Sequence, residues 1–116
     1  MDSTVTVTIV RELIQITTGL GHQIEAFDED AITREIVQRG VYDNWTLKAI
    51  EHLLTSVNAD TCLDVGANIG NHALSMSGHC KRVIAFEPVP FIHSVLTQNL
   101  QNNVSNAVAL LSLIHI

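Results

Sequence analysis

The sequence has few cysteines, few basic residues and no HExxH or GxGxxG motif, and each absence argues against a kind of site. Its 116 residues include two cysteines, and six Lys or Arg stand against twelve Asp or Glu. Cys62 and Cys80 show no CxxC or Cys/His ligand spacing, which opposes a zinc site and favours two reduced, packed thiols. An acidic surface repels a phosphate backbone, so a nucleic-acid partner is disfavoured.

The remaining absences concern membranes, dinucleotides and metals. No apolar run is long enough to span a membrane, and the N-terminal residues lack the basic and apolar pattern of a leader, so we expect a cytoplasmic protein. Without GxGxxG, an NAD-dependent oxidoreductase is disfavoured, and without a Walker lysine the ligand need not carry a phosphate. The histidines are scattered without ligand-type spacing, so we expect no metal site. They are His22, His52, His72, His79 and His93, besides His115 near the C-terminus.

What is present predicts one α/β domain. Hydrophobic residues make up 47% and charged residues 16% of the chain, a globular composition, and the length suits a single domain. From residue 58 to 110 the pattern alternates strand, helix, strand, helix, strand, which predicts parallel strands with right-handed crossovers. The predicted strands cover residues 61–65, 82–86 and 107–111, and the helices begin at Asn71 and Pro90.

Residues 1–57 form an N-terminal extension with weaker signals. Residues 5–10 alternate apolar residues with Thr and suit a strand. Residues 15–18 and 23–27 flank a glycine-containing turn and are predicted to pair as a hairpin, although a helix over residues 10–16 fits nearly as well.

Two helices are predicted to complete this extension. Asp28 or Asp30 caps the first, which ends at Gly40, and Asn44 caps the second. Tyr42 and Trp45 are predicted to cover the core. An apolar stripe at helical spacing is expected to bury the second helix against the rest of the domain. Its members are Leu47, Ile50, Leu53, Leu54 and Val57.

The chemistry is predicted at the carboxyl ends of the first two parallel strands, where such sheets bind ligands. Asp64 precedes a glycine-bordered loop, residues 66–70, and Glu87 ends the next strand. The glycines let the backbone approach a ligand, and the Glu87 carboxylate can accept hydrogen bonds from both hydroxyls of a ribose. Asp64 can hold a positive group or organise the loop, and Asn68 and Asn71 can cap the loop or contact a ligand. The sequence therefore predicts a nucleoside site without a phosphate cradle.

These motifs resemble those of S-adenosylmethionine-dependent methyltransferases. LDVGANIGNHAL, residues 63–74, resembles their first motif, and VIAFEPVP, residues 83–90, resembles the next. With REIVQRGVYDNW at residues 34–45 and HSVLTQNLQNN behind the second motif, the pattern most resembles the FkbM family over residues 28–110. The resemblance implies a Rossmann-like class I methyltransferase fold, truncated after about three parallel strands.

The resemblance also implies S-adenosylmethionine as cofactor and a set of residues that bind it. Those at the methionine end are Asp64, Gly66, Ala67, Asn68 and Gly70, and Asn71 is included in the predicted site. Glu87 would hold the ribose hydroxyls and Pro88 would shape the adenine side. Members of the family mainly methylate hydroxyls of sugars, lipids or polyketide products, which implies a small-molecule or glycan acceptor. No catalytic base is assigned.

Other functions stay open. The loop, the strand-end acid and the NxxxN spacing also resemble tRNA guanine methyltransferases, although the acidic balance opposes an RNA acceptor. A module that binds the cofactor without transferring methyl groups is a further alternative.

The C-terminal residues carry a separate expectation. Residues 111–116 resemble a translated sequencing adapter, so we expect an artefactual tail and give His115 no role. We expect the 116-residue chain alone to be inactive and prone to aggregate, because three parallel strands leave an open edge and an uncovered apolar face.

Overall fold

The computed structural model describes residues 4–6 and 12–112, arranged as five strands and four helices. These elements are β1 Leu13–Thr17, β2 Gln23–Phe27, α1 Ala31–Arg39, α2 Asn44–Val57, β3 Thr61–Val65, α3 Asn71–Ser77, β4 Arg82–Glu87, α4 Pro90–Asn103 and β5 Ala107–Leu111. Most of the strand expected over residues 5–10 lies outside the described residues. So do residues 113–116 of the expected tail, whereas Leu111 ends β5.

The predicted α/β fold is confirmed. Strands β3, β4 and β5 form a parallel sheet in that order, with Thr61 opposite Arg82 and Val83 opposite Ala107. Strands β1 and β2 form the predicted antiparallel hairpin. The alternative helix over residues 10–16 is wrong from Leu13 onwards, because these residues pair with β2 as a strand.

The first predicted helix has the expected ends, and the second begins differently. The Asp30 carboxylate accepts a hydrogen bond from the next N–H at 2.8 Å, and Gly40 ends α1 in the left-handed conformation. Asn44 is already the first helical residue of α2, so the predicted cap is wrong by one position. Asp43 is the residue before the helix, and its carboxylate accepts a hydrogen bond from the Thr46 hydroxyl at 2.8 Å.

The predicted burial of α2 is only partly correct. Leu47 is buried, but Leu53 and Val57 are 61% and 62% exposed, so the five-residue stripe is not a continuous buried face. Trp45 is 87% exposed and does not cover the core, whereas Tyr42 is half-buried and packs against it. The cause is that α2 packs mainly on α3, a short helix that covers one narrow side of it.

The core lies on one face of the parallel sheet, beneath α3 and α4. Side chains alternate across a strand, so Val83 and Ala85 of β4 face this core while Leu63 and Val65 of β3 face away from it. Both cysteines are free thiols, with Cys62 buried and Cys80 half-buried. No described helix is long and apolar enough to cross a membrane.

Candidate functional site

The glycine-bordered loop and the strand-end acid meet at the carboxyl edge of the sheet. The N–H groups of Gly66 and Ala67 both donate to the Phe86 carbonyl, each at 2.9 Å. The Asn68 N–H donates to Glu87 Oε1, also at 2.9 Å. The loop after β3 is therefore joined to the end of β4 by backbone and side-chain bonds, at the edge where parallel sheets bind ligands.

Glu87 organises this edge in a way that the sequence analysis did not predict. Its second oxygen, Oε2, accepts a hydrogen bond from the Val89 N–H at 3.0 Å, and the residue is 5% exposed. Each carboxylate oxygen has two lone pairs, so both can accept a further donor. Glu87 thus holds the loop and the start of α4 while keeping acceptor capacity for a ligand, and half-buried Pro88 lies directly beside it.

Asp64 carries an unpaired oxygen at the same edge. Its Oδ2 is buried and has no hydrogen-bond partner among the described residues. Burial raises the pKa of the Asp64 carboxyl, while the nearby His72 lowers this pKa and the nearby Glu87 raises it. A buried carboxylate oxygen without a donor is energetically unfavourable, so this position suits a ligand that brings a donor or a positive charge.

The two glycines of the loop have different structural roles. Gly66 has φ +77°, and a Cβ built on it would meet no atom within 4 Å, so the loop there borders open space. Gly70 has φ +102°, and a Cβ would lie 3.0 Å from Leu96 Cδ1 of α4. Gly66 therefore permits an unusual backbone shape beside a possible ligand, whereas Gly70 permits close packing against the core. Ala67 is 6% exposed, its N–H donates to the Phe86 carbonyl and its own carbonyl accepts from the Gly70 N–H, so it holds the shape of the loop.

The segment between α1 and α2 reaches the start of α3, next to this edge. The Asn71 side-chain amide donates to the Tyr42 carbonyl at 3.1 Å. His72 Nε2 lies 3.3 Å from Asp43 Oδ2. The bond from Thr46, and after it the His72 contact, lowers the pKa of the Asp43 carboxyl. Asp43 was not predicted as a neighbour of the site, and its only sequence signal was the family-like segment at residues 34–45; His72 lies in the first motif, residues 63–74, directly after the loop.

Two grooves of the described chain lie away from this edge. A groove of about 490 Å³ lies among α2, α3 and the end of α4, and another of about 600 Å³ lies beside α1. Neither is lined by Asp64, Glu87 or the loop 66–70. Within the described part of the chain no group of three His, Cys, Asp or Glu is arranged to hold a metal ion. The candidate site is therefore recognised by its donors and acceptors.

Comparison with known proteins identifies the fold. No protein-family model matches this chain, and no curated protein matches it. Solved structures that match include the tRNA m1G37 methyltransferase of Methanocaldococcus jannaschii and TYW2 of the same organism in complex with AdoMet. They also include SAM-bound CalS10, an amino pentose methyltransferase of Micromonospora echinaspora involved in calicheamicin biosynthesis.

The likeness covers most of this chain and a smaller share of each neighbour. The tRNA methyltransferase has a TM-score of 0.59 at 16% identity, covering 91% of this chain and 32% of its own. TYW2 has a TM-score of 0.55 at 14% identity, covering 95% of this chain and 47% of its own. CalS10 has a TM-score of 0.53 at 16% identity, covering 69% of this chain and 33% of its own. The chain therefore has the Rossmann-like methyltransferase fold and spans between about a third and a half of these structures.

Proposed function

We propose that this chain is the S-adenosylmethionine-binding part of a methyltransferase of the FkbM type. The observation that carries the proposal is the unpaired, buried Oδ2 of Asp64 next to the open space at Gly66. The cofactor has a positive amino group at its methionine end and two ribose hydroxyls. A cation at Asp64 would satisfy an oxygen to which no described residue donates.

The other residues of the edge fit the same group. Glu87 has acceptor capacity left for ribose hydroxyls after binding the loop and the start of α4. Pro88 borders the adenine side in this proposal, and Asn71 follows the loop at the start of α3, where its side chain binds the Tyr42 carbonyl. The backbone at the methionine end is supplied by Gly66, Ala67, Asn68 and Gly70.

Bound at this edge, the cofactor would supply an electrophilic methyl group on a sulfonium. The residues of this chain bind and orient it, because methyl transfer depends mainly on alignment of the acceptor with the methyl group. We assign no described residue as the base. The proposed acceptor is a hydroxyl on a sugar, a lipid or another natural product, in line with the motif resemblance, and the amino pentose methyltransferase CalS10 shares the fold.

An RNA acceptor is the second candidate, since the tRNA m1G37 methyltransferase has the same fold over 91% of this chain. The charges at the carboxyl edge oppose it, because Asp43, Asp64 and Glu87 are all acidic there. Retention of tRNA at physiological salt, weakening steeply as salt is raised, would favour this second candidate over the first.

The cofactor proposal is tested by calorimetry with S-adenosylhomocysteine and NAD on the intact protein. We expect S-adenosylhomocysteine to bind and NAD not to bind. Asp64→Asn should weaken S-adenosylhomocysteine binding about tenfold, the loss of one charge-assisted hydrogen bond. Glu87→Gln should weaken it at least as much, because the amide nitrogen also cannot accept one of the two backbone N–H bonds. Glu51→Gln is the matched control, because Glu51 lies on α2 and its ion-pair partner is Lys48.

Two results would contradict the assignment. Preferential binding of NAD over S-adenosylhomocysteine would replace the assigned cofactor, S-adenosylmethionine, with a dinucleotide. An unchanged affinity in the Glu87 variant would remove that residue from the site.

A further inference from the structure

Helix α4 covers the free edge of the hairpin with two asparagine side chains. The Asn103 amide accepts from the Gln23 N–H at 2.9 Å and donates to the Gln23 carbonyl at 2.8 Å. The Asn99 amide does the same with Glu25, at 2.7 and 2.9 Å. A side-chain amide has the donor and the acceptor of a peptide group, so each asparagine pairs with β2 as a neighbouring strand would.

The spacing of the pair follows from the geometry of the two elements. Four residues along a helix rise about 6 Å. Two residues along a strand rise about 6.6 Å. Asparagines four apart on α4 therefore meet residues two apart on β2 without distortion of either element. The NxxxN spacing noted in the sequence is accounted for by this match.

Only one of the two asparagines also reaches the candidate site. The second amide hydrogen of Asn99 is donated to the Ile69 carbonyl, in the glycine-bordered loop, at 2.8 Å. In Asn103 the side-chain nitrogen bonds instead to the Asn99 carbonyl of the same helix at 2.7 Å. Asn99 is fully buried, and all of its side-chain donors and its acceptor are in use.

The bond at Ile69 holds the middle of the loop. On one side of Ile69, the Asn68 N–H binds Glu87, and on the other side Gly70 packs under Leu96 of α4. Together with Asn99 these contacts fix three successive residues of the loop. A change at the Ile69 carbonyl would rotate the adjoining peptide units and move the backbone that faces the site.

We propose that Asn99 is a positioning residue for cofactor binding, which ties the loop 66–70 to the N-terminal hairpin. The role rests on the proposed function, because the ligand whose affinity it sets is the one assigned to that loop. The hairpin lies outside the site, yet its pairing with Asn99 holds the amide in the orientation that binds Ile69. The hairpin and the cofactor are therefore coupled through one side chain.

The matched pair Asn99→Ala and Asn103→Ala tests the proposal in the intact protein. Each variant removes two hydrogen bonds to β2, so both should lower the melting temperature. Only Asn99→Ala also frees the Ile69 carbonyl, and we expect it to weaken S-adenosylhomocysteine about tenfold while Asn103→Ala changes affinity less than about twofold. Equal losses in the two variants, or no loss in Asn99→Ala, would overturn the positioning role.

Hydrogen exchange on the unmodified protein gives a second test that does not depend on a variant folding. Coupling between two sites is reciprocal, so a ligand that orders the loop must also stabilise the pairing at Glu25. Saturating S-adenosylhomocysteine should slow exchange of the Glu25 N–H more than that of the Gln23 N–H. Equal slowing at both positions contradicts the inference, whereas failure of the wild-type protein to bind the ligand contradicts the proposed function itself.

Discussion

The two faces of the parallel sheet are both apolar, but only one is covered in the described chain. On the covered face Val83 and Ala85 are 1% and 0% exposed. On the open face Leu63, Val65 and Val108 are 59%, 60% and 56% exposed. An apolar strand therefore predicts a sheet but does not show what packs on each face of it. Successive residues of a strand point to opposite faces, so one apolar run contributes to both.

The difference between the faces extends to the carboxyl edge. Asp64 lies on the same face of β3 as Cys62, and Glu87 lies on the same face of β4 as Val83 and Ala85. Both acids are therefore on the side that α3 and α4 cover. That location gives Glu87 its buried contacts and raises the pKa of Asp64 through burial.

The largest effect we predict contrasts a residue over the covered face with one on the open face. Leu96 of α4 is fully buried, and Leu96→Ala should lower the free energy of unfolding by about 2–5 kcal/mol. Leu63→Ala should lower it by less than about 0.5 kcal/mol, because Leu63 already contacts solvent. Urea denaturation of the two variants measures the contrast. Similar losses would mean that the open face is also packed in the folded protein.

The open face also bears on the expected aggregation of the 116-residue chain. Leu63→Ser should reduce light scattering by this chain and leave its stability nearly unchanged, since it removes exposed apolar surface. Scattering that Leu63→Ser does not reduce would assign self-association to another surface.

Local signals explain how far the fold was predictable. The parallel unit was predicted correctly because its glycine loop and Pro90 punctuate strands and helices within a few residues. The exposure of Trp45 was not predicted, because a large apolar residue at the start of a helix does not show which neighbour covers it. Burial of α2 depends on the small size of α3, a tertiary property.

The candidate site likewise has one part that the sequence predicted and one part that it did not. Parallel topology alone placed the loop and Glu87 at one edge, which the structure confirms. The contacts of Asn99 with Glu25 and of His72 with Asp43 join positions 74 and 29 residues apart. Such pairs follow from the packing of the hairpin and helices, which no local pattern in the sequence specifies.

The next prediction compares the loss of stability caused by alanine at each of the two glycines of the loop. Gly70→Ala places a Cβ 3.0 Å from Leu96 Cδ1 in a backbone conformation that side chains rarely adopt, so we expect a loss of about 1–3 kcal/mol. Gly66→Ala meets open space and should lose only about 1 kcal/mol, from backbone strain alone. Thermal unfolding ranks the variants. If Gly66→Ala is the more damaging, the loop does not border open space.

Asp64→Asn should change stability and binding in opposite directions. The folded pKa of Asp64 is raised, so the unfavourable burial of its charge is absent below the ordinary pKa of an aspartate and present above the raised value. Stability contributed by this group therefore falls as the pH rises through that window, and the asparagine variant should lack the fall. At neutral pH we expect the ligand-free variant to gain up to about 1 kcal/mol.

Binding by the same variant should become less dependent on pH. Only the ionised Asp64 attracts the amino group of S-adenosylhomocysteine, so wild-type affinity should rise with pH through the raised pKa while that of Asp64→Asn stays flat. Calorimetry across this range, paired with melting curves, measures both effects. A variant that loses stability and keeps its affinity would show that Asp64 has a structural partner and no ligand.

The last contrast concerns α2, where a buried and an exposed apolar residue stand two positions apart and the exposed one should show the smallest effect. Leu47 is 4% exposed, so Leu47→Ala should cost about 2–5 kcal/mol. Trp45 is 87% exposed, so Trp45→Ala should change stability by less than about 0.5 kcal/mol. Trp45 is also the single tryptophan of the chain, and we expect its fluorescence to be that of a solvated indole, accessible to iodide and little changed on unfolding. A blue-shifted emission that moves to the red on unfolding would place Trp45 against a partner surface and extend the covered apolar part of the molecule to this side of α2.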